Sequence, residues 1–101
     1  MHYILDLECD NLLDKVTKIH CIVLKDINTN EFITDLDKAI EKIKDAKLII
    51  GHNIVAFDMP VIKKVLNVET NAELFDTLVA TRLIWAHIKE IDFKNMHKGF
   101  P

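Results

Sequence analysis

The chain has 101 residues, half of them hydrophobic, with 13 Lys+Arg against 16 Asp+Glu, two Gly and two Pro. This describes a single globular domain over residues 1–101 and excludes a disordered tail or a two-domain enzyme. A net charge of −3 excludes a broad basic face for gripping nucleic acid. There is no run of about 18 apolar residues and no basic opening followed by an apolar stretch, so neither a membrane span nor a signal peptide is expected. Cys9 and Cys21, with no CxxC motif, read as reduced thiols in a cytoplasmic compartment.

Tyr3 to Glu8 alternates like a strand, and Ile19 to Lys25 is a second run rich in branched residues. Asn28, Thr29 and Asn30 make a turn before a short strand from Glu31 to Thr34, so the first third reads as an antiparallel meander. Leu36, Ala39, Ile40 and Ile43 then share one helical face, with Thr34 or Asp35 as N-cap and a solvated charged face opposite.

Lys47 to Gly51 suits a buried parallel strand, closed by a loop at Gly51, His52 and Asn53. Pro60 suits the first turn of a helix through Leu66. Glu73 to Asp76 can form one more short strand. Thr77 then caps a helix that keeps its period as far as Ile88 and loses it in the segment that follows. The order β-β-β-α-β-α-β-α is that of an α/β, ribonuclease-H-like domain with a mixed five-stranded sheet and helices on its faces.

Asp6 and Glu8 lie two residues apart on the first strand, so both side chains leave the same face while Leu5 and Leu7 point to the other. Two carboxylates so placed can share a hard cation such as Mg²⁺ or Mn²⁺. Asp58, in the stretch G-H-N-I-V-A-F-D-M-P, falls at the end of a neighbouring strand and on the same rim as Asp6. Three acids there could hold two cations ~3.5–4 Å apart, which suggests metal-assisted phosphoryl hydrolysis. The alternatives are a solvated strand end for Asp6 and Glu8, and an acid favouring a helix dipole for Asp58. The five histidines show no zinc spacing; His52 stands out because it adjoins Asn53 beside the candidate site.

Four stretches then occur in order: I-L-D-L-E at the start, V-T-K-I-H-C at Val16 to Cys21, H-N-x3-F-D-x-P at His52 to Pro60, and F-D-T-L-V-A-T-R-L-I at Phe75 to Ile84. Together they resemble the proofreading 3′-5′ exonuclease domain of bacteriophage family A DNA polymerases, in the DnaQ-like (DEDD) superfamily, over nearly the whole chain. The resemblance implies removal of nucleotides from the 3′ end of single-stranded DNA with two Mg²⁺ or Mn²⁺ ions. It makes Asp6, Glu8 and Asp58 the catalytic metal ligands. It places Asn53 on the substrate strand and Leu12 against the terminal base, and makes the remainder of a polymerase chain the natural partner. Asp76 belongs to the matching stretch but not to the family's catalytic acids, and reads as a strand-end or capping residue.

The sequence departs from that family at its third motif, Tyr-x-x-x-Asp. The only Tyr is Tyr3, Asp92 has Ile88 four residues before it, and a His variant starting at His97 would need an Asp beyond Pro101. The expectation is a domain incomplete at its C-terminus, with little or no activity of its own. The alternative is a non-catalytic or split exonuclease-fold module that binds DNA ends or pairs with a separately encoded remainder. A ribonuclease with the same site stays open as a third reading.

Overall fold

The computed structural model describes the backbone of residues 1–97 and the side chains of residues 1–89. The strands are β1 (His2–Cys9), β2 (Ile19–Asp26), β3 (Phe32–Ile33), β4 (Leu48–Gly51) and β5 (Glu73–Asp76); the α-helices are α1 (Leu36–Asp45), α2 (Met59–Leu66) and α3 (Thr77–His97). One sheet forms in the order β3-β2-β1-β4-β5. The β1–β2–β3 meander is antiparallel, and β4 and β5 join parallel to β1, giving the mixed five-stranded α/β sheet.

Period-two alternation on β1 decides which face is buried. Tyr3, Leu5 and Leu7 point into the core, and His2, Ile4, Asp6 and Glu8 are exposed. Register carries the same face across the sheet, since Leu5 stands opposite Leu24, Leu7 opposite Ile22, and Tyr3 beside Ile49. Ala39 and Ile43 of α1, Ile54, and Val61 and Ile62 of α2 close this core with almost no exposure. The charged face of α1 is solvated, as its sequence implies. Its N-cap is Asp35, whose side chain accepts from Lys38 N.

The β2–β3 turn is built on Asp26. Its carboxylate accepts from Asn28 N and Thr29 N, while Asn30 takes the left-handed conformation at φ 61°. β3 is shorter than the sequence suggests, because only Phe32 and Ile33 pair with β2.

α3 departs from expectation in two ways. Its first backbone N–H groups are capped by Asp76 Oδ1, which accepts from Leu78 N and Val79 N, and not by Thr77. The helix also continues without a break to His97, since helical backbone does not require an amphipathic period. From Thr81 to Lys89 every residue is exposed, including Leu83, Ile84 and Trp85, so α3 leaves the body soon after it starts. The Cα radius of gyration is accordingly 17.5 Å, where a compact chain of this length would have about 13 Å. Asp92 and His97 lie on this helix, but their side chains fall outside the described residues. Among the described residues no helix is long and apolar enough to cross a membrane.

Gly51 ends β4 at a tight crossing. A Cβ there would overlap Ile54 Cγ2 and stand 3.0 Å from Leu5 O. Ile54 is fully buried and the second neighbour is backbone, so neither can yield cheaply. Gly51→Ala is expected to destabilise the fold by about 1–3 kcal/mol, read as a lowered urea midpoint at unchanged slope; an unchanged midpoint would show that the turn after β4 is looser than described.

Candidate active site

The parallel strands β1, β4 and β5 end at one rim, and the pairing of β1 with β4 stops at Ile4 and Ile50. The second half of β1, which carries Asp6 and Glu8, therefore has no strand on that side. A single π-helical turn, Ile54–Asp58, packs against β1 after β4 ends and leads directly into α2. Asn53 starts it in the left-handed conformation at φ 61° and ψ 31°, Phe57 N donates to Asn53 O, and Met59 N closes the wide turn on Ile54 O. Such π-turns are rare in general and concentrate at functional sites. Pro60 sits in the first turn of α2, as its sequence position implies.

The turn delivers Asp58 to a buried position, 7% exposed, near Asp6 and Asp76. Burial, then the negative charge of Asp6, then that of Asp76, pushes the Asp58 carboxyl up to about 7. Asp76 is equally buried but differently held. Its Oδ1 accepts from Asn53 N at 2.8 Å and its Oδ2 from Val55 N at 3.0 Å, in addition to the two N–H groups of α3. Burial pushes Asp76 up, but these four backbone donors outweigh it and hold its carboxyl below its ordinary value. Its capping role is the one the sequence suggests; its grip on the π-turn is a long-range contact that no local spacing announces.

Glu8 lies on the same exposed face as Asp6 but opens onto a different cleft. A β-bulge between Glu8 and Cys9 shifts the register as β1 ends. Beyond it a cleft of about 520 Å³ is lined by Glu8, Leu12, His20 and Phe57, among others. Leu12 is 70% exposed on the loop between β1 and β2. Asp10 organises this loop by accepting from Thr17 Oγ1, Thr17 N and Lys18 N, which lowers its own carboxyl to about 2. Lys64 of α2 donates to Leu13 O and Asp14 O and ties the loop to the body. Sequence reasoning missed Asp10, Lys64 and Phe57; the polar D-N-L-L-D-K-V-T-K run gave the only hint that the loop is held by a carboxylate.

Asp6 thus lies near enough to Asp58 for its charge to oppose ionisation there, while Glu8 joins Leu12 and Phe57. Among the described residues, no three His, Cys, Asp or Glu side chains converge closely enough to form a metal-binding group. The one salt bridge among them, Lys63 to Glu69 at 3.1 Å, lies on α2 and the loop after it. No Lys or Arg therefore neutralises Asp6 or Asp58 there. An all-oxygen, anionic pair fits a hard divalent cation, and Mg²⁺ in particular takes one or two carboxylates and completes its shell with water and substrate phosphate.

No family model matches the chain. It is similar to the DNA-directed DNA polymerase of Enterobacteria phage T3, at 34% identity over 109 aligned positions, and to that of Escherichia phage T7, at 31%. Each alignment takes in 93% of this chain but 16% of the polymerase, so the chain spans about one sixth of the length of these relatives.

The Asp58 environment has a signed consequence for stability. Between the ordinary carboxyl pKa and about 7, the folded chain holds a proton that the unfolded chain releases, so stability falls as pH rises through that window. The fall attributable to Asp58 is of order 2–4 kcal/mol. Asp58→Asn is expected to abolish it and to be the more stable protein at pH 8; parallel pH–stability curves for the two proteins would refute the buried, repelled state of Asp58.

Proposed function

We propose that this chain is the 3′-5′ exonuclease region of a phage-type DNA polymerase, with a ribonuclease-H-like fold, acting on the 3′ end of single-stranded DNA. The observation that carries the reading is the approach of Asp58 to Asp6 at the open end of the central strand, in a chain similar to phage polymerases along most of its length. The strand order β3-β2-β1-β4-β5 and the element order support the fold assignment.

In this reading Asp6 and Asp58 would hold one divalent cation and Glu8 would serve a second. Such cations supply a hydroxide nucleophile at neutral pH and stabilise the charge on a leaving oxygen. The protein's own groups do the positioning. Leu12 and Phe57 give the cleft beside Glu8 an apolar surface for the terminal base, on a loop fixed by Asp10 and Lys64. Asn53, at the rim on its left-handed backbone, is the residue this reading assigns to the approaching strand.

The unneutralised carboxylates also account for a protein of net negative charge acting on a polyanion. The bare rim repels phosphate, and bound cations reverse the local sign. Contact with DNA is then local and depends on the metal, without a basic groove.

The test joins activity to metal binding. With Mn²⁺ or Mg²⁺ and enzyme in excess, slow release of nucleotides from the 3′ end of single-stranded DNA is expected, with paired ends resistant. Asp6→Asn and Asp58→Asn should each lower the rate by about 100-fold or more. Mn²⁺ should also raise the unfolding midpoint at pH 7.5 in the native chain but not in Asp58→Asn. Retained cleavage by Asp6→Asn, or Mn²⁺ stabilisation indifferent to both substitutions, would overturn the assignment. Stabilisation by Mn²⁺ and binding of DNA ends with no cleavage under any condition would favour a non-catalytic module.

A further inference from the structure

A second cleft, of about 470 Å³, opens on the other side of Asp6 and is lined by Ile4, Leu5, Asp6, Ile50, Gly51, His52 and Thr77. His52 is exposed within it, and its ring has a partner at Nδ1. Its Nδ1 lies 3.0 Å from Thr77 Oγ1, and Thr77 Oγ1 lies 3.2 Å from Gly51 O. A threonine hydroxyl has one proton. Given to the carbonyl of buried Gly51, that proton leaves only a lone pair towards His52, so Nδ1 must carry hydrogen and donate. The reverse arrangement would give up the hydroxyl's bond to the Gly51 carbonyl. In the neutral ring Nε2 is then the nitrogen without hydrogen, and among the described residues no protein group bonds to it.

We propose that His52, held in its Nδ1–H tautomer by Thr77, is a positioning residue whose Nε2 accepts a hydrogen bond from an O–H group brought beside Asp6. The donor is the terminal sugar hydroxyl of the nucleotide or a water molecule; a phosphate oxygen, which only accepts, does not fit an unprotonated nitrogen. The inference rests on the functional reading above and deepens it, because it gives the acidic rim a group selective for a free hydroxyl next to the scissile phosphate. Thr77 is the element that makes it specific. A histidine without that partner would sample both tautomers and rotate.

The deciding experiment is ¹⁵N NMR of the histidine side chains in the full chain, alone and with Mg²⁺ plus thymidine 5′-monophosphate or its 3′-deoxy analogue. The free protein should show His52 as the Nδ1–H tautomer. Thr77→Val should lose that preference and Thr77→Ser should restore it. On adding the hydroxylated nucleotide the His52 Nε2 resonance should shift, and His52→Phe should weaken nucleotide binding by about tenfold, equivalent to one ordinary hydrogen bond. A shift with the hydroxylated nucleotide alone identifies the sugar as donor, and equal shifts with both identify water; either outcome supports the proposal. An Nε2–H tautomer, or an unmoved His52 while the Asp6 resonances respond to nucleotide and Mg²⁺, overturns the His52 role alone. No response at Asp6 to either ligand overturns the functional reading beneath it and the proposal with it.

Discussion

Among the described residues, the carboxylate of Asp76 ties together more of this structure than any other side chain. It ends β5, receives the N–H groups of Asn53 and Val55 at the start of the π-turn, and receives those of Leu78 and Val79 at the start of α3. Two chain segments that begin with unsatisfied donors thus share one anion. The wide turn can follow Gly51 without leaving its backbone unpaired in a buried place, and Asp58 emerges where the turn finishes. Without that anion, the route from β4 to α2 would have to find other partners, and Asp58 would have no fixed address.

The same arrangement sets up the chemistry. Asp76 is stabilised as an anion by backbone donors, so it keeps its charge to lower pH than an ordinary carboxylate, and it adds to that of Asp6 in opposing the ionisation of Asp58. One carboxylate is satisfied by the fold and two are left in conflict. A conflict of this kind favours the protonated form of Asp58 up to neutrality. In the proposed function, the opposition that costs stability is the same one that a bound cation would relieve.

The opposite balance holds on the open face of the sheet and along α3. Ile4, Phe75, Val79, Leu83, Ile84 and Trp85 remain exposed on a chain whose core is closed on the other side by α1 and α2. The relatives are about six times as long as the chain's share of them. Ile4 of this surface also lines the cleft that holds Asp6 and His52, so whatever shields it also shapes the approach to Asp6.

Much of this architecture was legible in the sequence. Alternation on β1 fixed the inward Leu5 and Leu7 and the outward Asp6 and Glu8, helical spacing fixed α1, and Pro60 fixed the first turn of α2, because each depends on a local period or a local backbone preference. The extent of α3 was not legible, since a loss of amphipathic period ends a buried face and not a helix.

The site divides along the same line. That Asp6, Glu8 and Asp58 belong to one rim follows from strand order and spacing. Which of them meet does not, and neither do the π-turn that brings Asp58 to Asp6, the bulge that takes Glu8 towards Leu12 and Phe57, the hold of Asp76 on Asn53 and Val55, or the bond from Thr77 to His52. Apart from the approach of Glu8 to Leu12, those contacts join residues about 20 or more positions apart, and their geometry is set by where β4 stops pairing with β1, a property of the folded sheet and not of any single segment.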